Sequence, residues 1–349
     1  MKTPAVVFAE PGRVEIREMA VREPGPGEVG VRTVFSGVSQ GTERWALTGR
    51  YDQFARDVTA CYPCSPGYQA SGVVDAVGPG VTDLREGDRV FLAGTRFLDP
   101  SHRYPGPCMA SHSGYLVAAR SAVTPVAPET DLAGAALYHM AGVSRHGVRL
   151  TKVQPGDLVA VLGLGMIGQM SAQAARRAGA RVIGTDLIPQ RVQAAAKHSA
   201  DRAVDASSQR LEDVVRAEAP DGADVVIDTT GDHRIFSRCL GLIRREGRIA
   251  MQGYYPDPIQ IDFHRTHLQR PTVTFPCGWD DEYNAQLADD LASGAVAIAP
   301  LITHRIPFED AKSAYELVLE HPEASLGMVI TWSATENGLP DPTASQGRD

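Results

Sequence analysis

The chain has 349 residues, 43% of them hydrophobic and 22% charged, a composition that suits a folded globular protein long enough for two domains. A formal charge of −8 and a pI near 5.7, with no basic run, argue against a nucleic-acid surface. No apolar stretch approaches the roughly 18 residues of a membrane-spanning helix, so no membrane partner is expected.

MKTPAVVFAEPGRV at the start lacks the apolar core and cleavage site of a secretory leader. Cysteines are few and unevenly placed (Cys61, Cys64, Cys108, Cys239, Cys277), which suits a reducing compartment. The expectation is a cytoplasmic protein acting on a small molecule.

Taken in order, residues 1–127 read as mostly β. Short apolar runs (AVVFA, RVEIREM, EVGVRTVFSGV, ASGVVDAVG, DRVFLAG, GYLVAAR) alternate with Pro/Gly turns such as EPGPGE and VGPGV. A compact β barrel or sandwich follows from that spacing. From residue 128 helical and strand-like runs alternate: DLAGAALYHMAGVSRHGVRL, VAVLG, RVIGT, RAVD, ADVVIDTTG, GRIAMQGYY and TVTFPCG. That alternation predicts a doubly wound parallel sheet over 128–278. Residues 279–333 read as helix, strand, helix and strand, and are expected to return to the first domain. The polar stretch 334–349 is expected to be a disordered tail.

The most informative stretch is Val159 to Asp186. Gly163-Leu164-Gly165-Met166-Ile167-Gly168 sits between a strand and a helix, with Asp186 at the end of the next strand. A dinucleotide-binding turn needs that context. Gly163 allows the tight turn, Gly165 the approach of a pyrophosphate, and Gly168 close helix–sheet packing. The helix start, with Met166 and Ile167, offers free N–H groups. Asp186 is placed to bind the adenosine ribose hydroxyls and to repel a 2′-phosphate, which points to NAD. Arg191 faces the adenine or a phosphate. Ligands of such sheets lie beyond the strand C-termini, which adds Asp205, Thr230, Gly231, Gly253 and Tyr254.

The order of PGPGEVGVR, SGVSQGTER, PGYQASGVVDAVGPGV, GDRV, VQPGD, GLGMIG, TDLIPQR and PFEDAKSAYELV resembles the medium-chain dehydrogenase/reductase superfamily over residues 5–332. The resemblance implies an α/β protein with a GroES-like, β-rich catalytic domain, a Rossmann domain, a cleft between them and a homodimer or tetramer. It also shows departures. Where zinc-dependent members carry cysteine, histidine and a third ligand, this chain has Ser39, Tyr68 and Met140 next to His139. These do not make the three N, S or O ligands of a catalytic zinc, so no metal is expected. Cys61 and Cys64 form a lone C-x-x-C, and only Cys108 falls where four cysteines would hold a structural zinc. SGVSQGTER most resembles a zinc-lacking branch that includes bacteriochlorophyllide hydroxyethyl dehydrogenase and natural-product dehydrogenases.

Without zinc, a side chain must carry the proton and the developing oxygen charge of hydride transfer. Tyr68 is the candidate proton donor, against an ordinary packed tyrosine. Ser39 either hydrogen-bonds the substrate oxygen or caps a turn. Glu43 relays a proton or pairs with an arginine such as Arg44. His139 acts in acid–base chemistry or sits as a core histidine. Gln69, His112, Trp45 and Trp279 are candidate substrate contacts. The function implied is a zinc-independent, NAD-dependent dehydrogenase or reductase of a secondary alcohol or ketone on a polyhydroxylated or cyclic substrate. A reductase of activated C=C bonds and a nucleotide-binding protein without redox turnover are the alternatives.

Overall fold

The computed structural model describes residues 1–51, 54, 57–278 and 283–333. Trp279 and the expected tail, 334–349, lie outside the described residues. In chain order the elements are β1 (Lys2–Glu10), β2 (Arg13–Ala20), β3 (Glu28–Gly37), α1 (Gln40–Leu47), β4 (Ala70–Val77), β5 (Arg89–Leu92), β6 (Tyr115–Ala119), β7 (Val123–Pro125), α2 (Leu132–Ala135) and α3 (Tyr138–Leu150). Next come β8 (Leu158–Leu162), α4 (Met166–Arg177), β9 (Arg181–Asp186), α5 (Pro189–His198), β10 (Arg202–Asp205), α6 (Leu211–Glu218), β11 (Ala223–Asp228), α7 (Phe236–Leu242), β12 (Ile243–Met251), α8 (Phe263–Gln269) and β13 (Thr272–Thr274). The chain closes with α9 (Tyr283–Ala292), β14 (Ile302–Pro307), α10 (Ala311–Glu320) and β15 (Gly327–Thr331).

Two compact units result: Met1–His139 with the return from Asn284 onward, and Met140–Tyr283. In the first, β1 and β2 form a hairpin, and a seven-stranded sheet runs β14-β15-β3-β4-β5-β7, with β6 on β3. All its pairs are antiparallel except β14 with β15, which α10 connects. Residues 128–139, expected with the nucleotide-binding domain, pack here instead. Ser71 Oγ donates to the Leu132 carbonyl at 2.6 Å, and Tyr138 stacks on Phe91 at 4.2 Å between ring centres.

The second unit is a six-stranded parallel sheet in the order β10-β9-β8-β11-β12-β13. Successive residues of β8 serve two cores. Leu158, Ala160 and Leu162 join α6 and α7 (Leu211, Val214, Phe236, Leu240), while Val159 and Val161 join α4 and α5 (Ala172, Ala175, Ala195). A parallel strand buried on both faces therefore reads as one unbroken apolar run. The chain proceeds outward from β8 in one direction and from β11 in the other. The sheet thus has a reversal of order at the β8–β11 boundary, where the C-terminal ends open a crevice.

Candidate active site

The glycine-rich turn follows β8. Gly163 has φ +83°, a conformation glycine adopts without steric cost. A Cβ on Gly168 would lie 1.9 Å from the Gly163 carbonyl oxygen, so only glycine lets α4 start this close to the strand. Gly165 is the N-cap of α4 and has no side-chain cap, and a Cβ there would point into open space. Met166, Ile167 and Gly168 form the first turn, whose N–H groups have no intrahelical acceptor. Open room beside an uncapped helix start fits a pyrophosphate.

Asp186 ends β9 and is tied to this turn. Its Oδ2 accepts from Leu164 N at 2.7 Å and its Oδ1 from Ile188 N at 2.9 Å. Each oxygen retains a lone pair for a ribose hydroxyl. Gln169 holds the other side of Leu164, donating to its carbonyl at 3.1 Å and to the Arg191 carbonyl at 2.9 Å. The Arg191 guanidinium lies 3.9 Å from Asp186. Asp205 is Asp186's register partner on the edge strand β10, and its carboxylate accepts from Ser207 N and Oγ in a local turn. Thr230 and Gly231 follow β11, and Gly253 and Tyr254 follow β12. All of the expected cofactor residues thus stand at the C-terminal ends of the sheet.

In the first unit, α1 arises from SGVSQGTERWAL, a stretch read from sequence only as a motif. Ser39 is its N-cap, and the Glu43 carboxylate reaches back to accept from Ser39 N at 2.8 Å. The Tyr68 hydroxyl, just ahead of β4, donates to Ser39 Oγ at 2.6 Å and also lies within hydrogen-bonding reach of Thr42. Burial pushes the Tyr68 phenol well above the usual tyrosine range, against the opposing pull of Ser39. It therefore stays protonated at neutral pH. The His139 ring packs on Tyr68 with 4.6 Å between centres. Burial lowers His139 to about 4, so its imidazole is neutral at physiological pH.

Glu43 and His112 are both fully buried. Glu43 Oε2 accepts from Tyr315 OH at 2.8 Å and faces His112 Nε2 at 3.1 Å. His112 Nδ1 is 2.7 Å from Ser36 Oγ, which also meets Trp332 Nε1 at 2.8 Å. The indole can only donate, so Ser36 Oγ accepts from Trp332. The partners of the Glu43 carboxylate are thus Ser39, Tyr315 and His112, where the sequence had offered Arg44. Gln69 is likewise buried, its amide 3.4 Å from the Gly37 carbonyl. Trp45 is half-buried, with the Arg50 and Arg44 guanidinium groups 4.7 and 5.5 Å from its ring centre. Thr42, Ser36, Tyr315 and Trp332 escaped the sequence reading; the signals available were the places of Ser36 and Thr42 inside SGVSQGTER and of Tyr315 inside PFEDAKSAYELV.

Among the described residues, no group of three or more His, Cys, Asp or Glu side chains is placed to hold a metal ion. Ser39, Tyr68 and His139 supply two hydroxyls and one imidazole, a donor set that does not fit a catalytic zinc.

Two family models match the chain. Residues 25–128 match the alcohol dehydrogenase GroES-like domain, and residues 167–292 match the zinc-binding dehydrogenase family. The chain belongs to the medium-chain dehydrogenase/reductase superfamily. It is an oxidoreductase of that superfamily. It is 28% identical to the 2-desacetyl-2-hydroxyethyl bacteriochlorophyllide A dehydrogenase of Cereibacter sphaeroides, covering 96% of this chain and 100% of that one. Two solved structures share its fold. One, of a protein from Sinorhizobium meliloti 1021 with NADP bound, has a TM-score of 0.80 at 23% identity and covers 95% of this chain and 99% of that one. The other, of an alcohol dehydrogenase from Escherichia coli CFT073 complexed with NADH, has a TM-score of 0.79 at 21% identity with the same coverage. Among the described residues, no helix is long and apolar enough to cross a membrane.

Proposed function

We propose that this superfamily member interconverts a secondary alcohol and its ketone with NAD(H) and without a catalytic metal, Tyr68 handling the proton. The observation that carries the reading is the Tyr68–Ser39 hydrogen bond of 2.6 Å, standing where zinc-dependent relatives hold their ligands. Bound nicotinamide supplies or accepts the hydride. The chain's own residues do the rest. In the reducing direction the protonated Tyr68 hydroxyl turns from Ser39 to the substrate oxygen and gives up its proton as the oxygen gains charge. Ser39 Oγ, which accepts that proton in the resting arrangement, then donates to the phenolate and stabilises it. In the oxidising direction the same atoms work in reverse, with the proton passing from the alcohol to Tyr68. His139 keeps the phenol ring in place, and Glu43 fixes Ser39 through its backbone.

NAD is favoured over NADP by Asp186, whose carboxylate would face a 2′-phosphate. The substrate class is supported by relatives named for 2-desacetyl-2-hydroxyethyl bacteriochlorophyllide A, D-xylulose and sorbitol. A secondary alcohol on a ring or polyhydroxylated frame is common to these. A screen of such alcohols for NADH formation, paired with NADH and NADPH titrations, tests the reading. Formation of NADH from at least one of them supports it; a clear NADPH preference overturns the cofactor assignment.

The chain works as a homodimer in this reading. β13 is an edge strand, and Ile261, Phe263, Leu268 and Phe275 around it are exposed. An open strand edge flanked by large apolar side chains invites a second copy. Phe263→Glu with Phe275→Glu is expected to yield monomers in sedimentation; an unchanged dimer would place the interface elsewhere.

A further inference from the structure

The crevice of the parallel sheet contains a buried carboxyl that the chemistry above does not use. Asp228 closes β11 and is fully buried. Its Oδ2 accepts from the Tyr255 hydroxyl and its Oδ1 from Thr230 Oγ1 at 2.9 Å. Its backbone carbonyl accepts from Gln252 N at 2.8 Å and Gly253 N at 3.0 Å. A single residue thus joins the turn after β11 to the turn after β12. The two turns also touch directly. A Cβ on Gly253 would lie 2.8 Å from Gly231 N, and a Cβ on Gly231 would lie 2.9 Å from the Tyr254 carbonyl oxygen. Thr229 extends the knot to the glycine-rich turn, its hydroxyl donating to the Gly163 carbonyl at 2.9 Å.

A carboxyl at this depth is costly. Burial, the largest influence on Asp228, pushes it up to about 6 against the bonds from Tyr255 and Thr230. An apolar side chain would close the strand without that cost. What an acceptor side chain at this position provides is a fixed spacing between the turns after β11 and β12.

The order of the sheet says what those turns face. It reverses between β8 and β11, and Asp186, on the β9 side, takes the adenosine end of a dinucleotide. The other end of the ligand must then cross toward β11 and β12. We propose that Asp228 and Tyr255 are positioning residues that shape the nicotinamide half of the dinucleotide site. This rests on the cofactor reading of the glycine-rich turn.

Separate titrations of NADH and of ADP, which lacks the nicotinamide half, test it. Tyr255→Phe keeps the ring in its packing and removes only the hydroxyl. Asp228→Asn keeps the size and one acceptor. Tyr255→Phe is expected to weaken NADH about tenfold and ADP less than about twofold, with Asp228→Asn falling between wild type and Tyr255→Phe for NADH. The half-ligand comparison separates positioning from general loosening, which would weaken both ligands alike. Unchanged NADH affinity in Tyr255→Phe, or a parallel loss of NADH and ADP, overturns the proposal. A wild-type chain that binds ADP, NADH and NADPH all undetectably overturns the cofactor reading itself, and this inference with it.

Discussion

The Tyr68 hydroxyl donates to Ser39 Oγ across 2.6 Å, while the backbone N–H of that same serine is held at 2.8 Å by Glu43. The phenol thus rests against an acceptor whose position is set by a buried carboxylate. A tyrosine kept protonated by burial is suited to giving a proton to a newly formed alkoxide. It is poorly suited to taking one at neutral pH.

That asymmetry has a kinetic signature. Alcohol oxidation requires Tyr68 to have lost its proton, so its kcat/KM is expected to climb with pH and to show no plateau below about pH 10, the ordinary tyrosine range. Ketone reduction should be flat over the same range. A plateau in oxidation near pH 7 would assign the proton to another group.

Glu43 accepts three hydrogen bonds with no exposure to water. Replacing it by alanine leaves Tyr315, His112 and the Ser39 amide without their acceptor. The expected loss is on the order of 3–5 kcal/mol of stability, read as a lower urea midpoint. Glu43→Gln, which keeps one acceptor, should lose about half as much. A midpoint unchanged in Glu43→Ala would mean that the network closes without its centre.

Stability should also fall in mild acid. Burial lowers His102 and His139 to about 4 each, whereas an unfolded histidine takes up its proton near 6.5. The unfolded chain therefore binds more protons through this window. The contribution of these residues is complete above about pH 6.5 and is lost as pH falls toward 4, by up to about 3 kcal/mol each. Asp228, raised to about 6, works in the opposite sense by a similar amount, since the folded form takes its proton first. Two against one leaves a net loss, measurable by urea unfolding at pH 7.5 and 4.5. His102→Phe, against the rings of Phe97 and Tyr104, should flatten the slope; an unaltered slope would clear His102 of the effect.

Cofactor choice is expected to turn on Asp186. Asp186→Ser removes the charge beside Arg191 and leaves that guanidinium to meet a 2′-phosphate. NADH should bind about tenfold more weakly and NADPH more tightly, in paired titrations. Because Asp186 also holds Leu164 N and Ile188 N, some stability goes with it. A variant with wild-type selectivity would show that the acid serves the turn alone.

The Rossmann-like parallel sheet was legible because its signals are local. Gly163, Gly165, Gly168 and Asp186 declare themselves within one strand–helix–strand unit, by turn geometry and apolar runs. The catalytic half depends on partners far apart in the chain. His112 meets Glu43 across 69 residues, Tyr315 meets it across 272, and Trp332 meets Ser36 across 296. No periodicity encodes such pairings, so the burial of Glu43 and His112 and their shared network could not be read from the sequence. The helix α1 was missed for a related reason: its Gly and Thr carry little propensity, and the Glu43 reach-back to Ser39 that starts it shows only in three dimensions.

The central claim is that a tyrosine does the work of a metal. Its most direct measurement is the rate of NADH formation from the best alcohol substrate by wild-type and Tyr68→Phe protein, both stripped with chelator and checked by elemental analysis. The account predicts that stripped wild type keeps its full rate, with well under one zinc per chain. It predicts that Tyr68→Phe falls about a hundredfold in the chemical step, with NAD affinity nearly unchanged. Loss of wild-type activity on stripping that zinc restores, or a Tyr68→Phe rate equal to wild type, would contradict it.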